Sequence, residues 1–184
     1  RSLAERAATM QQEDPSKHAA AIGTLLGYPR CCIDAFLSQA DRSNNSFNRY
    51  ATAQRTDAET WPWELADLRT KIYPFYPCRY DCPAALTYAR QTLAQLDASD
   101  FEATRQRLAR PVLYFDDEHQ LVFEGSGTTR EVRFRDVLGT SPLTCTLGGL
   151  LAEAKRLEWT FDHLRAGWSI RRIDPALGFV APFG

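Results

Sequence analysis

Val112-Leu113-Tyr114-Phe115, then Asp116-Asp117-Glu118-His119-Gln120, then Leu121-Val122-Phe123: at this stretch the texture of the chain changes. Aromatic and β-branched residues on both sides of a short polar turn predict a β-hairpin, because such side chains pack well on a pleated surface. The alternation from Glu131 to Val137 predicts a third strand, so an antiparallel meander over about 112–137 is expected. Downstream, beyond Gly148-Gly149, a helix is expected to run to about Ala166. The tail from Trp168 to Phe183 reads as strand-like pieces broken by Pro175, Gly178 and Pro182.

Upstream of the hairpin the chain reads as helices. Asp14-Pro15 is a cap followed by proline at the first helical position, and Ile22, Leu25 and Leu26 form an apolar stripe that Gly27 ends. Pro29 restarts the chain as a second helix. There Cys32, Ile33, Phe36 and Leu37 share one face, and Cys31 points about 100° away at 3.6 residues per turn. Residues 41–48 read as a polar loop, Trp61-Pro62-Trp63-Glu64 as another helix start, and Lys71 to Pro83 as an extended stretch. After Pro83 a helix carries Leu86, Ala89, Leu93 and Leu96 on one face, and Ser99-Asp100 caps a shorter one that ends before Pro111. The expected fold class is α+β. It has a largely helical N-terminal half (1–111), the meander, and a C-terminal helix with a strand-like tail, all in one domain over 1–184.

Composition narrows the function. A net charge of -1 gives no overall cationic field for nucleic acid or an anionic membrane surface. No apolar run approaches the ~18 residues needed to span a bilayer and no secretion signal is recognisable, so a cytoplasmic location is expected. Nineteen of the 22 basic residues are arginines, a bias that a GC-rich genome explains as well as function does.

Four of the five cysteines fall in two clusters, Gly27-Tyr28-Pro29-Arg30-Cys31-Cys32 and Tyr76-Pro77-Cys78-Arg79-Tyr80-Asp81-Cys82-Pro83. In a reducing compartment, clustered cysteines point to metal ligands, reactive thiols or buried apolar groups rather than disulfides. One reading brings Cys31, Cys32, Cys78 and Cys82 onto one zinc ion or iron-sulfur cluster, since thiolates are the preferred ligands of both. Another makes Cys32 a core residue, with the others packed or bridged. A third makes Cys31 or Cys78 a nucleophile activated by a helix N-terminus and a neighbouring arginine. His18, His119 and His163 show no ligand spacing, and Cys145 stands alone.

Arg30 and Arg79 sit beside cysteines near helix starts, where the helix dipole and unpaired N–H groups favour an anion. Tyr28 and Tyr80 would supply walls or donors to such a site, or the arginines would simply pair with Asp34 and Asp81. Asp34, Glu64 and Asp81 are the carboxylates nearest the clusters and the candidates for a general base. Gly125-Ser126-Gly127 and Gly148-Gly149 fit no phosphate-loop pattern and read as turns.

These residues resemble a prokaryotic family whose signature is Gly-Tyr-Pro-x-Cys-Cys followed by Pro-Cys-x-x-x-Cys, here Gly27 to Cys32 and Pro77 to Cys82. The chain also resembles the aziridine-forming enzymes of azinomycin-type and vazabitide-type biosynthesis. That resemblance implies a bacterial secondary-metabolism lyase that closes a three-membered ring by expelling sulfate. It also implies a second protein subunit, a substrate carried on an amino-group carrier protein and no cofactor. Back-side displacement demands orientation above all. A carboxylate, Asp34, Glu64 or Asp81, would free the amine, and Arg30 and Arg79 would hold the leaving sulfate. In the contrasting expectation the chain is a cysteine-ligated metal module, or a non-catalytic partner subunit, without chemistry of its own.

Overall fold

The computed structural model describes residues 5, 15–39, 45–68, 71–114, 120–129, 131–139, 157–162, 167–173 and 179–184. Among them the helices are α1 (Pro15–Leu25), α2 (Arg30–Leu37), α3 (Asn45–Gln54), α4 (Pro83–Leu93) and α5 (Ala98–Leu108), with a 3-10 turn at Trp63–Leu65 before α4. The strands are β1 (Pro111–Tyr114), β2 (Gln120–Gly127), β3 (Val132–Gly139), β4 (Leu157–Asp162), β5 (Gly167–Ile173) and β6 (Phe179–Pro182). They form a six-stranded sheet in the order β4-β5-β3-β2-β1-β6, in which every neighbouring pair is antiparallel. The class is α+β, with helices in the first half and strands in the second. No helix among the described residues is long and apolar enough to cross a membrane.

The local signals of the first half largely hold. Helix α1 begins at Pro15 and is closed by Gly27, whose φ of 73° lies in the left-handed region that glycine adopts without penalty. Pro29 is the N-cap of α2, which buries Cys32 and Ile33, and Pro83 is the first residue of α4 after the N-cap Cys82.

Five local expectations need correction. Gly125-Ser126-Gly127, read as a turn, belongs to β2 and pairs with β3 just past a register shift between Glu124 and Gly125. The polar run that looked like a loop is helical from Asn45 onward, because α3 buries Arg49 and Thr52, polar residues whose partners Asp67 and Pro77 lie in other segments. Trp61 to Glu64 opens only a 3-10 turn; Trp61 itself forms a bridge to Phe183. The cap of α5 is Asp97, whose side chain accepts from the Ser99 and Asp100 N–H groups, rather than Ser99 or Asp100. The helix expected to reach Ala166 is overturned over 157–162, which form β4 paired with β5. A strand with a partner has its backbone hydrogen bonds met by the ladder, and that outweighs a local helical pattern. Residues 150–156 and 163–166, which make up the rest of that expectation, lie outside the described residues.

One core joins the sheet to the helical half. Trp61 stacks on Tyr80 with ring centroids 4.5 Å apart, and Phe183 packs edge-on against both, 5.6 and 5.2 Å away. Around them lie Leu65, Ala85, Ala89, Leu108, Val112 and Ala181, with Cys32 and Cys82 in the same cluster. The contact is fixed by backbone bonds: the Trp61 N–H donates to the Pro182 carbonyl and the Gly184 N–H to the Trp61 carbonyl, both at 3.0 Å.

A buried ion pair ties the remaining elements together. Arg49 Nε of α3 lies 3.1 Å from Asp67 Oδ2, Lys71 Nζ lies 3.4 Å from Asp67 Oδ1, and the Tyr114 hydroxyl donates to the Asp67 carbonyl at 2.9 Å. The Arg49 guanidinium also lies over the Tyr114 ring, 5.4 Å from its centroid. Removing one partner of such a pair strands the other as a buried charge. Asp67→Ala is therefore expected to cost about 3–5 kcal/mol, read by chemical denaturation. A loss below about 1 kcal/mol, the range of exposed pairs, would show that the pair does not organise the fold.

Candidate metal centre

The local rules that end α1 and start α2 and α4 place the thiols. Glycine at Gly27 and proline at Pro29 turn the chain so that Cys31 and Cys32 lie in the first turn of α2. Cys82 sits at the N-cap of α4, with Cys78 four residues upstream in an irregular segment. Two helix N-termini, each the positive end of its dipole, thereby meet around the thiols.

The sulfurs converge. Cys31 Sγ is 3.7 Å from Cys82 Sγ, Cys31 and Cys32 Sγ are 3.9 Å apart, and Cys32 and Cys82 Sγ are 4.0 Å apart. With Cys78 included, all four lie within 4.8 Å of one another, and the group could hold a metal ion. None of the four is in a disulfide. Cys32 and Cys82 are buried, Cys78 is half-buried and Cys31 is exposed.

Crowding and burial set the protonation of the metal-free cluster. Burial pushes the Cys32 thiol well up; the Cys78 N–H lowers it in part, and the neighbouring sulfurs raise it further. Burial, a hydrogen bond with Cys82 and the charge of its neighbours push Cys78 up to about 12. At Cys82 burial also raises the pKa, but the Ala85 and Ala84 N–H groups and hydrogen bonds from Cys78 and Cys31 outweigh it, and the thiol falls below its ordinary value.

The irregular segment that carries Cys78 is held by α3 and the residues just after it. The Thr52 hydroxyl donates to the Pro77 carbonyl at 2.9 Å, Arg55 Nε to the Cys78 carbonyl at 2.8 Å, and the Tyr80 N–H to Thr56 Oγ1 at 2.8 Å. The Tyr76 hydroxyl reaches Asn45. Sequence reasoning passed over Thr52, Arg55 and Thr56 as site residues. Thr52 lies in the last turn of α3, and Arg55 and Thr56 follow three and four positions on, a spacing that continues its face; reading 41–48 as a loop leaves the start of that helix out of view. The Cys78 N–H in turn donates to Cys32 Sγ at 3.4 Å, so segment and cluster brace each other.

The other candidate residues are dispersed among their own partners. Arg30 pairs with Asp34 at 3.0 Å, Arg79 with Asp81 at 3.1 Å and Arg90 with Glu64 at 3.0 Å. Tyr28 packs on Phe75 and Tyr88. Tyr80 is fully buried against Trp61, its hydroxyl without a hydrogen-bond partner among the described residues. His18 lies on α1, whereas His119, His163 and Cys145 fall outside the described residues.

The centre and its setting define an α+β protein with a four-thiol, metal-competent cluster at two helix starts. No protein-family model matches the chain, and no curated protein or solved structure is significantly similar to it.

The raised thiols give the reduced, metal-free protein a definite pH response. In the unfolded chain these thiols titrate near about 8.5, whereas folded Cys78 holds its proton to about 12 and Cys32 is also raised. Above the unfolded value the folded chain therefore binds more protons. The stability these thiols contribute is fully present below it and is lost as the pH rises toward their folded values. Cys82 acts in the opposite sense, its contribution being lost as the pH falls through its lowered pKa. The melting temperature of the reduced, metal-free chain is expected to fall between about pH 8 and about pH 10, and Cys78→Ala should flatten that slope. A melting temperature constant over this range would contradict the assignment.

Proposed function

We propose that the protein is a metal-binding module in which Cys31, Cys32, Cys78 and Cys82 hold one divalent ion, zinc or iron. The mutual distances of the sulfurs carry this reading. A tetrahedral ion with metal–sulfur bonds of about 2.3 Å spaces its ligands about 3.8 Å apart, against the 3.7, 3.9 and 4.0 Å separations of Cys31, Cys32 and Cys82. A four-iron cluster attaches each thiolate to a different iron and needs a wider cage. Four thiolates fill a tetrahedral shell and leave no open position, which is the pattern of a structural site.

The chemistry of the surroundings agrees. Four thiolates around a divalent ion leave a net negative centre, and Arg55, bonded to the Cys78 carbonyl, brings a cation to the backbone that carries one of them, while Arg30 and Arg79 pair with Asp34 and Asp81. Binding would release the protons that burial holds on Cys32 and Cys78, so affinity rises with pH. In this role the ion bolts the start of α2 to the segment before α4. It supplies rigidity that the irregular residues between Lys71 and Pro83 do not have by themselves.

Cobalt substitution tests the assignment directly. One cobalt per chain is expected, with the intense near-ultraviolet thiolate charge-transfer absorption and visible bands of a tetrahedral site. Cys82→Ser and Cys78→Ser should each lose the bound metal and much of the thermal stability. A reduced chain that takes up no cobalt or zinc, or binds equally well without Cys82, would reject the module.

Sulfate-expelling ring closure, with a second subunit and a carrier-borne substrate, is the other reading. The observation in its favour is the accessibility of Arg30 and Arg79, whose side chains are 76% and 43% exposed and pair at the surface with Asp34 and Asp81. It requires Arg30→Ala or Arg79→Ala to lower turnover of a sulfated amine while the fold and the metal content stay unchanged. Identical steady-state kinetics in both variants would remove the arginines from any such reaction.

A further inference from the structure

Exposure divides the thiol cluster. Cys31 faces solvent, while Cys32 and Cys82 are 1% and 2% exposed and Cys78 is half-buried. Thiolate reactivity toward oxidants follows access as well as ionisation, so attack from solution falls first on Cys31. Which sulfur answers next is a matter of geometry. Cys32 is the sequence neighbour, but adjacent α-carbons are about 3.8 Å apart, short of the roughly 4.4–6.8 Å that a disulfide spans, and both residues are locked in the first turn of α2. Cys82 comes from a different element, and its sulfur is 3.7 Å from that of Cys31, nearer than Cys32.

Resting on the metal reading above, we propose that the cluster is a peroxide-responsive switch in which Cys31 is oxidised, Cys82 resolves it, and the Cys31–Cys82 disulfide ejects the ion. In the first step the Cys31 thiolate attacks a hydroperoxide, the O–O bond breaks, and Cys31 becomes a sulfenic acid as an alkoxide or hydroxide leaves. In the second step the Cys82 thiolate attacks the Cys31 sulfur, the S–S bond forms and hydroxide departs. Both leaving anions take protons from water. The two sulfurs together lose two electrons, which the two peroxide oxygens accept. Two of the four ligands are then unavailable, and Cys32 and Cys78 alone hold a divalent ion weakly. The oxidised chain keeps α2 and α4 joined through the new bond, so the switch changes metal content while the two helix starts stay together. An external thiol reverses it by exchange at the exposed Cys31 sulfur.

The test uses the full chain loaded with zinc, treated with hydrogen peroxide in the presence of a chromogenic zinc chelator and then mapped by mass spectrometry without reduction. The expected result is release of the bound zinc together with a peptide pair joined through Cys31 and Cys82, lighter by two hydrogens. Dithiothreitol should restore both the thiols and zinc binding. Reduced, metal-free Cys31→Ser treated with the same peroxide should form no rapid cross-link at Cys82, whereas the metal-free wild type should join Cys31 to Cys82. A cross-link at any other pair in the wild type, sulfinic acid at Cys31 with no cross-link, or an equally rapid cross-link at Cys82 in metal-free Cys31→Ser would overturn the switch even if zinc binds fully to the wild type. Should the chain bind no zinc at all, the metal reading fails on its own. Mapping of the peroxide-treated, metal-free chain then still shows whether Cys31 and Cys82 form the pair. If that variant does not fold, the wild-type map alone decides between the linkages.

Discussion

The start of α2, the start of α4 and the segment that leads into it are held by the meeting of two helix starts around four sulfurs. An isolated helix leaves its first N–H groups without partners, and here those of Ala84 and Ala85 at the head of α4 lower the pKa of the Cys82 thiol, whose side chain makes no cap hydrogen bond of its own. The Cys78 N–H is taken by Cys32 Sγ. The thiols thus satisfy a backbone donor, fill core volume between α2 and α4, and bring four ligands within 4.8 Å. A group that does all three is constrained in position by packing and hydrogen bonding together, and that tolerance is what a metal site needs.

The same constraint explains the irregular segment from Lys71 to Pro83. With no ladder or helix of its own, its backbone polar groups must find partners elsewhere. Side chains of Thr52, Arg55 and Thr56 provide them, and α3 is in turn anchored by Arg49 to Asp67. Asp67 connects through its carbonyl to Tyr114 on β1. A chain of specific polar contacts therefore runs from the sheet, through a buried ion pair and one helix, to the backbone that carries Cys78. The position of a thiol is set partly by residues that touch no sulfur.

The sheet contributes the second anchor. Strand β6 pairs with β1 and delivers Phe183 against Trp61 and Tyr80. Tyr80, between Cys78 and Cys82, is fully buried by that contact. Its ring is a packing element rather than an anion handle, which accounts for an aromatic residue in the middle of a cysteine motif. The charged residues of the same motif, Arg79 and Asp81, pair with each other at the surface.

Much of this was legible in the residues alone, wherever a signal is local. The capping and proline chemistry at Pro15, Gly27, Pro29 and Pro83, the hairpin around residues 111–127 and the unequal exposure of Cys31 and Cys32 all follow from φ preferences and from periods of 2 and 3.6 residues. These are short-range properties that sequence order carries completely. Only the tertiary structure decided that residues 31, 32, 78 and 82 meet, that the polar stretch from Asn45 is a helix, and that 157–162 is a strand. Cys32 and Cys82 are 50 residues apart, and α3 is amphipathic only with respect to partners far along the chain. The pairing of β4 with β5 likewise outweighs the local helical pattern of its residues. Non-local hydrogen bonds and burial settle such cases, and neither is written in any window of the sequence read by itself.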